Sequence, residues 1–452
     1  MKILWRALNV ALCLVLAVGV VACAAPKPQP VDTELLGKEA ATYPEVSFIV
    51  FSDPHIYDTS LGTEGKAFED YIANDRKLLR ESGEILESAM EMIKAEKASF
   101  VLVPGDLTKD GERVSHELCA KYLSQLESAG KQVYVVPGNH DVLNGHSFKY
   151  VGDNKERVPN VKPEEFAQIY AEFGYKKALF RDPASLSYVA EPQKGLWLLA
   201  LDACRYAENV EGEESITDGK FNPQTLQWIE EMLKKAAMED KAVIAMMHHG
   251  IMEHYPSQEK NYGAYIVDDF PVVSKLLATY NARLVFTGHY HAQDITVERF
   301  PETGKFVFDI ETGSLVTYPC PYRVVSIDAA QKAAIRTERV TKIKSHPTDF
   351  PQYGQAYLEG GIAGIASRTI QKYGIEAAEA DVLAKHVAKA FVAHYSGDEK
   401  LPAGQIALSA EGMSGRAKLV VNNRKDLVEG LWADLEPQDN NVTLDLKTGQ
   451  WQ

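Results

Sequence analysis

One pattern, repeated five times, most constrains the fold: a short apolar, often β-branched run that ends in a cluster of histidine, aspartate or asparagine. Short apolar runs of this kind are typical of buried strands. Open α/β sheets present their ligand-binding groups just beyond the carboxyl ends of such strands. We therefore predict an α/β domain in which the polar clusters meet. The clusters are Asp53-Pro54-His55, Gly105-Asp106, Gly138-Asn139-His140-Asp141, His248-His249 and Gly288-His289-Tyr290-His291.

The apolar runs define the expected strands, and helical spacing marks the segments between them. Residues 69–98 carry an apolar face opposite a charged one, which predicts one helix that covers the sheet. A second helix is predicted over 223–237, with Asn222 as N-cap and Pro223 at the first helical position. The expected strands cover 46–51, 100–103, 132–136, 197–202, 242–247, 282–286, 305–310 and 323–327.

The composition changes near residue 343, which divides the chain into a catalytic domain over 43–343 and a smaller region over 344–452. In that region helical spacing recurs over 362–373, 377–395 and 424–435. We therefore expect a mainly helical C-terminal domain. It could shape the pocket or mediate dimerisation.

The first 42 residues are expected to be a targeting segment and a tether rather than part of the folded domain. Lys2 and Arg6 precede an apolar run over 7–22 that is shorter than the roughly 20 residues needed to span a bilayer. Residues 1–23 are therefore expected to be a signal segment. Val20-Val21-Ala22-Cys23 resembles a bacterial lipobox, which implies an exported protein held on the cell membrane by lipidated Cys23 and facing away from the cytoplasm. A plain signal peptide or a short anchor is the alternative. The proline-containing stretch 24–42 indicates a tether.

The net charge and the positions of the cysteines limit the partners that the chain can bind and the kinds of metal site that it can form. The formal net charge of −15 argues against long nucleic acid as a partner, whereas a small anion remains compatible if metal ions supply positive charge. Cys119, Cys204 and Cys320 are far apart and odd in number, so they predict neither a disulfide framework nor a thiolate zinc site. We expect them to be small buried apolar residues.

The clusters contain histidine, aspartate and asparagine, a mixture that suits Mn, Fe or Zn. An aspartate such as Asp106 can offer two oxygens and so bridge two cations. In two-metal sites the ions lie about 3.5–4 Å apart, lower the pKa of a shared water and stabilise both oxygens of an in-line phosphoryl displacement.

Taken in order, the five clusters resemble the signature of the calcineurin-like metallophosphoesterases over roughly residues 45–330. The resemblance implies a four-layer αββα sandwich and two divalent metal ions. It assigns Asp53, His55 and His291 to the first ion. It assigns Asn139, His248 and His289 to the second, with Asp106 as the bridge. His140, oriented by Asp141, would stabilise the phosphate or protonate the leaving oxygen.

Substrate contacts are less constrained by the sequence. The resemblance implies that His248 is the ligand, because the family's ligand lies directly after the strand, and this leaves His249 as a substrate-side candidate. Tyr57, Asn74 and Tyr290 are further candidates for the pocket lining. The long loop over 251–269 carries several aromatic residues and is either a pocket wall or surface decoration.

The leading expectation is a phosphodiesterase acting on small diesters, such as cAMP or cGMP. The arrangement of the C-terminal region is similar to that of bacterial exported cyclic nucleotide phosphodiesterases of the same superfamily. Few lysines or arginines lie beside the motifs in sequence, which favours diesters over the more highly charged monoesters. The alternatives are a phosphomonoesterase or nucleotide phosphatase with the same metal site, and a non-catalytic metal-binding lipoprotein. The pair His140-Asp141 argues against the last.

Overall fold

Two β-sheets share one hydrophobic core in the computed structural model, which describes residues 39–452. The Phe48 ring of one sheet contacts the Phe286 ring of the other, with ring centres 5.3 Å apart. The first sheet has, in spatial order, β15 (Asn441–Asp445), β14 (Lys332–Arg339), β13 (Pro321–Ile327), β1 (Val46–Val50), β2 (Phe100–Val103) and β3 (Gln132–Val135).

The second sheet contains the other long strands. Its order is β11 (Asp294–Phe300), β12 (Lys305–Glu311), β10 (Leu284–Thr287), β9 (Ala242–Met247), β8 (Leu196–Leu201), β7 (Tyr188–Gln193) and β6 (Phe180–Arg181). A separate hairpin joins β4 (Phe148–Val151) to β5 (Asn154–Arg157). Parallel pairing joins β1, β2 and β3 at one side of the first sheet, and β8, β9, β10 and β12 at the centre of the second.

Helices cover the outer face of each sheet and complete four layers. Apolar residues of α2 and α3 belong to the cluster that contains β1, β2 and β3, whereas those of α5 and α7 pack on the outer face of the second sheet. The expected αββα sandwich is confirmed. The helices are α1 (Lys66–Ile72), α2 (Ser82–Ala95), α3 (Arg113–Ser128), α4 (Pro163–Ile169), α5 (Pro223–Met238), α6 (Gln258–Tyr262) and α7 (Phe270–Thr279).

The single helix expected over 69–98 is wrong, because residues 73–81 interrupt it between α1 and α2. Asp75 explains the break, since its Oδ1 accepts hydrogen bonds from the backbone N–H groups of Arg76 (2.6 Å) and Lys77 (2.9 Å). Aspartate side chains that bond the local backbone in this way compete with helix formation. The interruption leaves Arg76 and Lys77 on a connecting segment instead of a helix face.

The C-terminal region is mainly helical, with α8 (Phe350–Gln371), α9 (Ala377–Ser396) and α10 (Gly415–Gly430). The first two pack against each other and share apolar clusters with α10. The chain then returns to the first sheet, where β15 pairs antiparallel with β14. The helices are therefore inserted between two neighbouring strands of the catalytic sheet.

The signal segment, Cys23 and most of the tether lie outside the described residues. Within 39–452, no helix combines the length and the apolar character needed to cross a membrane. Cys119 and Cys320 are buried as expected, Cys204 is partly exposed, and all three are free thiols.

Candidate metal centre

The seven predicted ligands converge in one place. One oxygen of Asp106, Oδ2, lies 3.5 Å from His55 Nε2 and 3.3 Å from His248 Nε2. Asn139 Oδ1 lies 3.1 Å from the same nitrogen of His248. Donor atoms within 4.8 Å of one another form two groups, Asp53-His55-Asp106-His291 and Asp106-His248-His289. Asp106 belongs to both groups, as a carboxylate that bridges two cations must.

Parallel strands bring these side chains together. Ligands follow β1, β2 and β3 in the first sheet and β9 and β10 in the second, and each lies just past the end of its strand. The carboxyl ends of parallel neighbours lie at the same edge of a sheet. Because the two sheets face each other, their ligand-bearing edges enclose one buried site.

Five of the ligands have a left-handed backbone. The φ angles are 51° at Asp53, 35° at His55, 47° at Asp106, 76° at His289 and 72° at His291. A residue other than glycine in this region costs on the order of 1–3 kcal/mol and persists only where its surroundings impose it. The backbone is thus held in an unfavourable conformation that directs the donors into one site.

Two glycines allow the loops to approach this closely. A Cβ atom on Gly138 would overlap the backbone N and the carboxylate of Asp106, and one on Gly288 would overlap Ser52 Oγ and the Asp53 carboxylate. These neighbours are a metal-ligand carboxylate and backbone atoms that cannot move aside. Any larger residue at either position therefore displaces a ligand.

The imidazole rings are oriented by backbone carbonyls. His55 Nδ1 lies 3.3 Å from the carbonyl oxygen of Thr108, and His248 Nδ1 lies 3.0 Å from that of Pro104. Such contacts fix the tautomer and leave the opposite nitrogen for the metal. The Nε2 atoms of His55 and His291 accordingly face each other at 3.1 Å.

His55 and His291 are neutral at pH 7, as ligands of a cation must be, whereas His248 carries a proton that metal binding would displace. Burial lowers the pKa of His55 and of His291, which leaves their lone pairs available at neutral pH. Burial would lower the pKa of His248 too, but the Asp106 carboxylate raises it to about 9. Buried oxygen and nitrogen donors in two groups with one shared carboxylate fit a dinuclear site for divalent cations.

His140 is held by a residue other than the one expected. Its Nδ1 lies 2.9 Å from Asp110 Oδ1, and Asp110 is also bound by Lys109. Burial would lower the pKa of His140, but Asp106 and Asp110 raise it. The imidazole is thus poised to carry a proton at the edge of the metal site.

The expected contact between His140 and Asp141 is wrong. The Asp141 carboxylate accepts backbone N–H bonds from Leu107 (3.0 Å), Thr108 (2.9 Å) and Gly138 (2.8 Å), and a hydroxyl bond from Thr108 (2.8 Å). Burial and the Asp106 charge raise the pKa of Asp141 to about 7, while these donors favour its ionised form. Asp141 joins two ligand loops and has no catalytic contact with His140.

A small cavity of about 100 Å³ lies over the metal ligands. Its lining includes Asp106, Asn139, His140, His289 and His291. It also includes four residues that sequence reasoning did not select: Asp75, Arg76, Lys77 and Thr217. Tyr265, from the loop over 251–269 that was expected to be a pocket wall or surface decoration, completes the lining. The volume matches a phosphate-sized group rather than a whole substrate.

Arg76 and Lys77 bring positive charge to this cavity. Lys77 is 6% exposed and forms an ion pair with Asp75, with Nζ 3.3 Å from Oδ2. Burial would lower the pKa of Arg76, but Tyr395, Tyr265 and Asp75 raise it, so the side chain stays charged. Within residues 39–452 the buried Nε of Arg76 has no hydrogen-bond partner, and it is available to an anion.

The small cavity lies between two larger ones. A polar cleft of about 600 Å³ shares Lys77, Asn139 and His140 with it. An apolar cavity of about 340 Å³ shares Tyr265 with it on the side of the C-terminal helices. Arg76 lines all three.

The predicted substrate residues mostly face elsewhere. His249 is fully buried behind the ligands, with Nε2 2.9 Å from the carbonyl oxygen of Thr217. Tyr57 is buried and donates to the Gly62 carbonyl at 2.6 Å. Tyr290 points away from the metal ligands into the apolar cavity, where its hydroxyl lies 2.9 Å from that of Tyr255. Asn74 lies on the lining of the polar cleft.

Some of the missed residues had a signal in the sequence. Asp110 is a carboxylate four positions after Asp106, close enough to serve the same loop. The dipeptide Asn74-Asp75 is a poor helix former and indicated the interruption that brings Arg76 and Lys77 to the cavity. Thr217 and Tyr265 lie on long connections, and only the fold shows where these connections pass.

A second group of carboxylates lies where the C-terminal helices meet the second sheet. Asp294 and Glu399 are buried with His394, whose Nδ1 lies 2.7 Å from Glu399 Oε1. Nearby, burial and the charges of Glu399 and Asp294 raise the pKa of Asp434 to about 7. None of these four residues lines the phosphate-sized cavity.

Comparisons with known proteins identify a matching family. The family model for calcineurin-like phosphoesterases matches residues 46–293. No curated protein matches the chain. Among solved structures, a dimetal phosphatase from Danio rerio is 15% identical, with a TM-score of 0.46 over 66% of this chain and 98% of that one. The sulfate thiohydrolase SoxB from Thermus thermophilus, in complex with glycerol, is 14% identical. Its TM-score is 0.33 over 72% of this chain and 62% of that one.

Proposed function

The chain belongs to the calcineurin-like phosphoesterases, and from this premise we propose that it is a metal-dependent phosphodiesterase acting on small diesters. The observation that carries the proposal is the position of the phosphate-sized cavity between a polar cleft and an apolar cavity. A diester has an organic group on each side of its phosphorus, whereas a monoester has one. The polar cleft and the apolar cavity therefore provide space for both groups of a diester.

The residues of the site have separate tasks in this reaction. When bound, two divalent cations (Mn, Fe or Zn) supply Lewis-acid polarisation of the phosphoryl oxygens and lower the pKa of water. Asp53, His55, Asp106 and His291 would hold one of them, and Asp106, Asn139, His248 and His289 the other. Arg76 and Lys77 line the same cavity and stabilise the phosphate charge.

His140 is the proton donor in this proposal. It is oriented by Asp110 and lines both the phosphate-sized cavity and the polar cleft. It protonates the ester oxygen that leaves, so the leaving group is the one in the polar cleft. A positioned acid of this kind contributes typically 10²–10⁴-fold to the rate.

A phosphomonoesterase is the second candidate, and Arg76 and Lys77 favour it. The scarcity of cationic residues beside the motifs in sequence does not carry over to three dimensions, because these two side chains line the cavity. Asp75 offsets one of their charges through its ion pair with Lys77. The pair therefore adds about one net positive charge, which stabilises the more highly charged monoester more than a diester.

Among diesters, the two neighbouring cavities favour an acyclic diester with two separate organic groups. A cyclic nucleotide fits less well, because its two ester oxygens belong to one sugar. Cyclic nucleotides remain a testable substrate class, because Tyr71, Phe148 and Tyr150 line the polar cleft and offer aromatic faces to a base. Export and attachment through lipidated Cys23 are also part of this proposal. Loss of lipid labelling in Cys23→Ser would support the attachment, and undiminished labelling would refute it.

Hydrolysis assays with Mn²⁺ supplied test the proposal. The substrates are methyl p-nitrophenyl phosphate, bis-p-nitrophenyl phosphate, 2′,3′- and 3′,5′-cyclic AMP, and the monoester p-nitrophenyl phosphate. Higher kcat/KM for the acyclic diesters than for the monoester supports a diesterase. A clear preference for the monoester assigns the protein to the second candidate. Inactivity on every ester with metal bound would refute both.

A further inference from the structure

The C-terminal helices enclose an apolar cavity of about 340 Å³. Its walls come from α8, α9 and α10 and from the loop that carries Tyr262 and Tyr265. Most of the lining is aliphatic and includes Ile362, Ile365, Leu383, Val387, Val421 and Leu427. The volume lies within the range of small-molecule sites, about 300–1,000 Å³.

The chemistry of the lining selects the occupant. Cavities without polar partners do not hold ordered water, and they bind apolar ligands. An unfilled space of this size is also costly, because the side chains around it lose their packing contacts. A hydrocarbon chain fits this mainly aliphatic lining better than a sugar, whose several hydroxyls would find few partners beyond Asn261, Thr369 and Arg424.

The apolar cavity adjoins the metal centre. Arg76 and Tyr265 line both spaces. The Tyr265 ring centre lies 4.5 Å from that of His289, a predicted ligand, and 4.9 Å from that of Tyr290. A phosphate at Arg76 would therefore have its neighbouring substituent at the mouth of the apolar cavity.

We propose that the substrate is an amphiphilic phosphodiester whose hydrocarbon chain occupies this cavity while its phosphate lies between Arg76 and the metal centre. The inference rests on the proposed phosphodiesterase function. The polar group occupies the cleft beside His140 and is the one that leaves. Water adds its oxygen to phosphorus and the bond from phosphorus to the polar alcohol breaks. His140 protonates the departing alkoxide oxygen, one proton of the attacking water restores His140 and the other goes to solvent, and the hydrocarbon chain remains on the phosphate monoester.

A series of alkyl p-nitrophenyl phosphates tests the proposal, with the alkyl group lengthened from methyl to decyl below micelle-forming concentrations. Each buried methylene should raise kcat/KM about fourfold until the chain fills the cavity. A flat series would overturn the inference while leaving the phosphodiesterase function intact. Binding of octyl phosphate, compared with methyl phosphate by calorimetry, provides a readout that does not need turnover. Equal affinity for the two would also overturn the inference, and failure to hydrolyse any member of the series would overturn the function itself.

Variants on α9 test where the hydrocarbon chain of the substrate binds. Val387 lines the cavity from α9, whereas Val382 on the same helix is 45% exposed and lies outside the lining. Val387→Trp should lower the ratio of octyl-ester to methyl-ester kcat/KM at least tenfold, and Val382→Trp should leave it unchanged. Thr369→Trp places the same bulk at an exposed position of the lining, in case Val387→Trp does not fold. An unchanged ratio in a folded cavity variant would contradict the proposal.

Discussion

Replacing Asp141 with alanine distinguishes a structural carboxylate from a catalytic one. The side chain is fully buried and accepts three backbone N–H bonds and one hydroxyl bond, which connect the loops after β2 and β3. These loops carry Asp106 and Asn139. Asp141→Ala leaves all four donors buried without an acceptor.

The expected loss of stability follows from those four bonds. A typical hydrogen bond contributes about 1 kcal/mol net, and a donor left buried without a partner costs at least as much. Four of them amount to about 4 kcal/mol, in the range of 3–5 kcal/mol seen when one partner of a buried charged pair is removed. Such a loss is a large part of the stability of an ordinary domain.

Urea unfolding followed by tryptophan fluorescence measures this loss. The comparison is made at pH 8, where the carboxylate is ionised, and with a chelator present so that metal binding does not stabilise either protein. The matched control is Glu117→Ala on the exposed face of α3, which should change the free energy of unfolding by less than about 0.5 kcal/mol. A loss below about 1 kcal/mol in Asp141→Ala, with turnover as low as in His140→Ala, would refute the structural role and restore the catalytic one.

Three further predictions concern the pair His140 and Asp110, the close approach of the loops after β2 and β3, and the group of carboxylates near Asp434. Asp110→Asn should lower kcat/KM about 10²-fold with metal content unchanged. Adding His140→Ala should cause little further loss, because the two side chains act as a unit. Additive losses in steady-state assays would contradict this. Gly138→Ala should reduce the amount of bound metal, because the new methyl group displaces the bridging carboxylate. Gly415→Ala is the control and should not change the metal content, because the space at its Cβ position is open. Elemental analysis of the purified proteins measures the metal. The raised pKa of Asp434 means that the folded state keeps a proton that the unfolded state releases above pH 4, so stability is lost as pH rises through 7. Asp434→Asn should therefore raise the melting temperature at pH 8 and have little effect at pH 4, and an equal effect at both pH values would argue against a proton held by Asp434.

The strands and the converging ligands were predictable because the information is local. The strand that ends before Asp106 is a run of four apolar residues, and the glycine and aspartate that follow it can be identified without knowing any partner. Parallel pairing then places the polar ends of successive strands at one edge. Chain order and strand patterning together contain most of what is needed to assemble the donor groups.

The remaining parts depend on contacts between distant segments. Asp141 and Asp110 both lie near His140 in sequence, and only the hydrogen bonds show that Asp141 binds backbone groups while Asp110 holds the imidazole. The apolar cavity needs α8, α9 and α10 to pack together, and helical spacing alone gives neither their arrangement nor a gap between them. Tertiary context also explains β15, a short strand whose partner lies about a hundred residues earlier.

The return of the chain through β15 makes the C-terminal helices an elaborated hairpin connection. Thr337 and Asn440 mark its two ends, and their backbones are hydrogen-bonded at 2.8 Å. Because closing a loop costs little more entropy as the loop grows, such a site accepts insertions readily. The helical segment can therefore be lengthened or exchanged for another segment while β14 and β15 keep their pairing. The substrate range and the bond-breaking chemistry of this fold can consequently diverge independently.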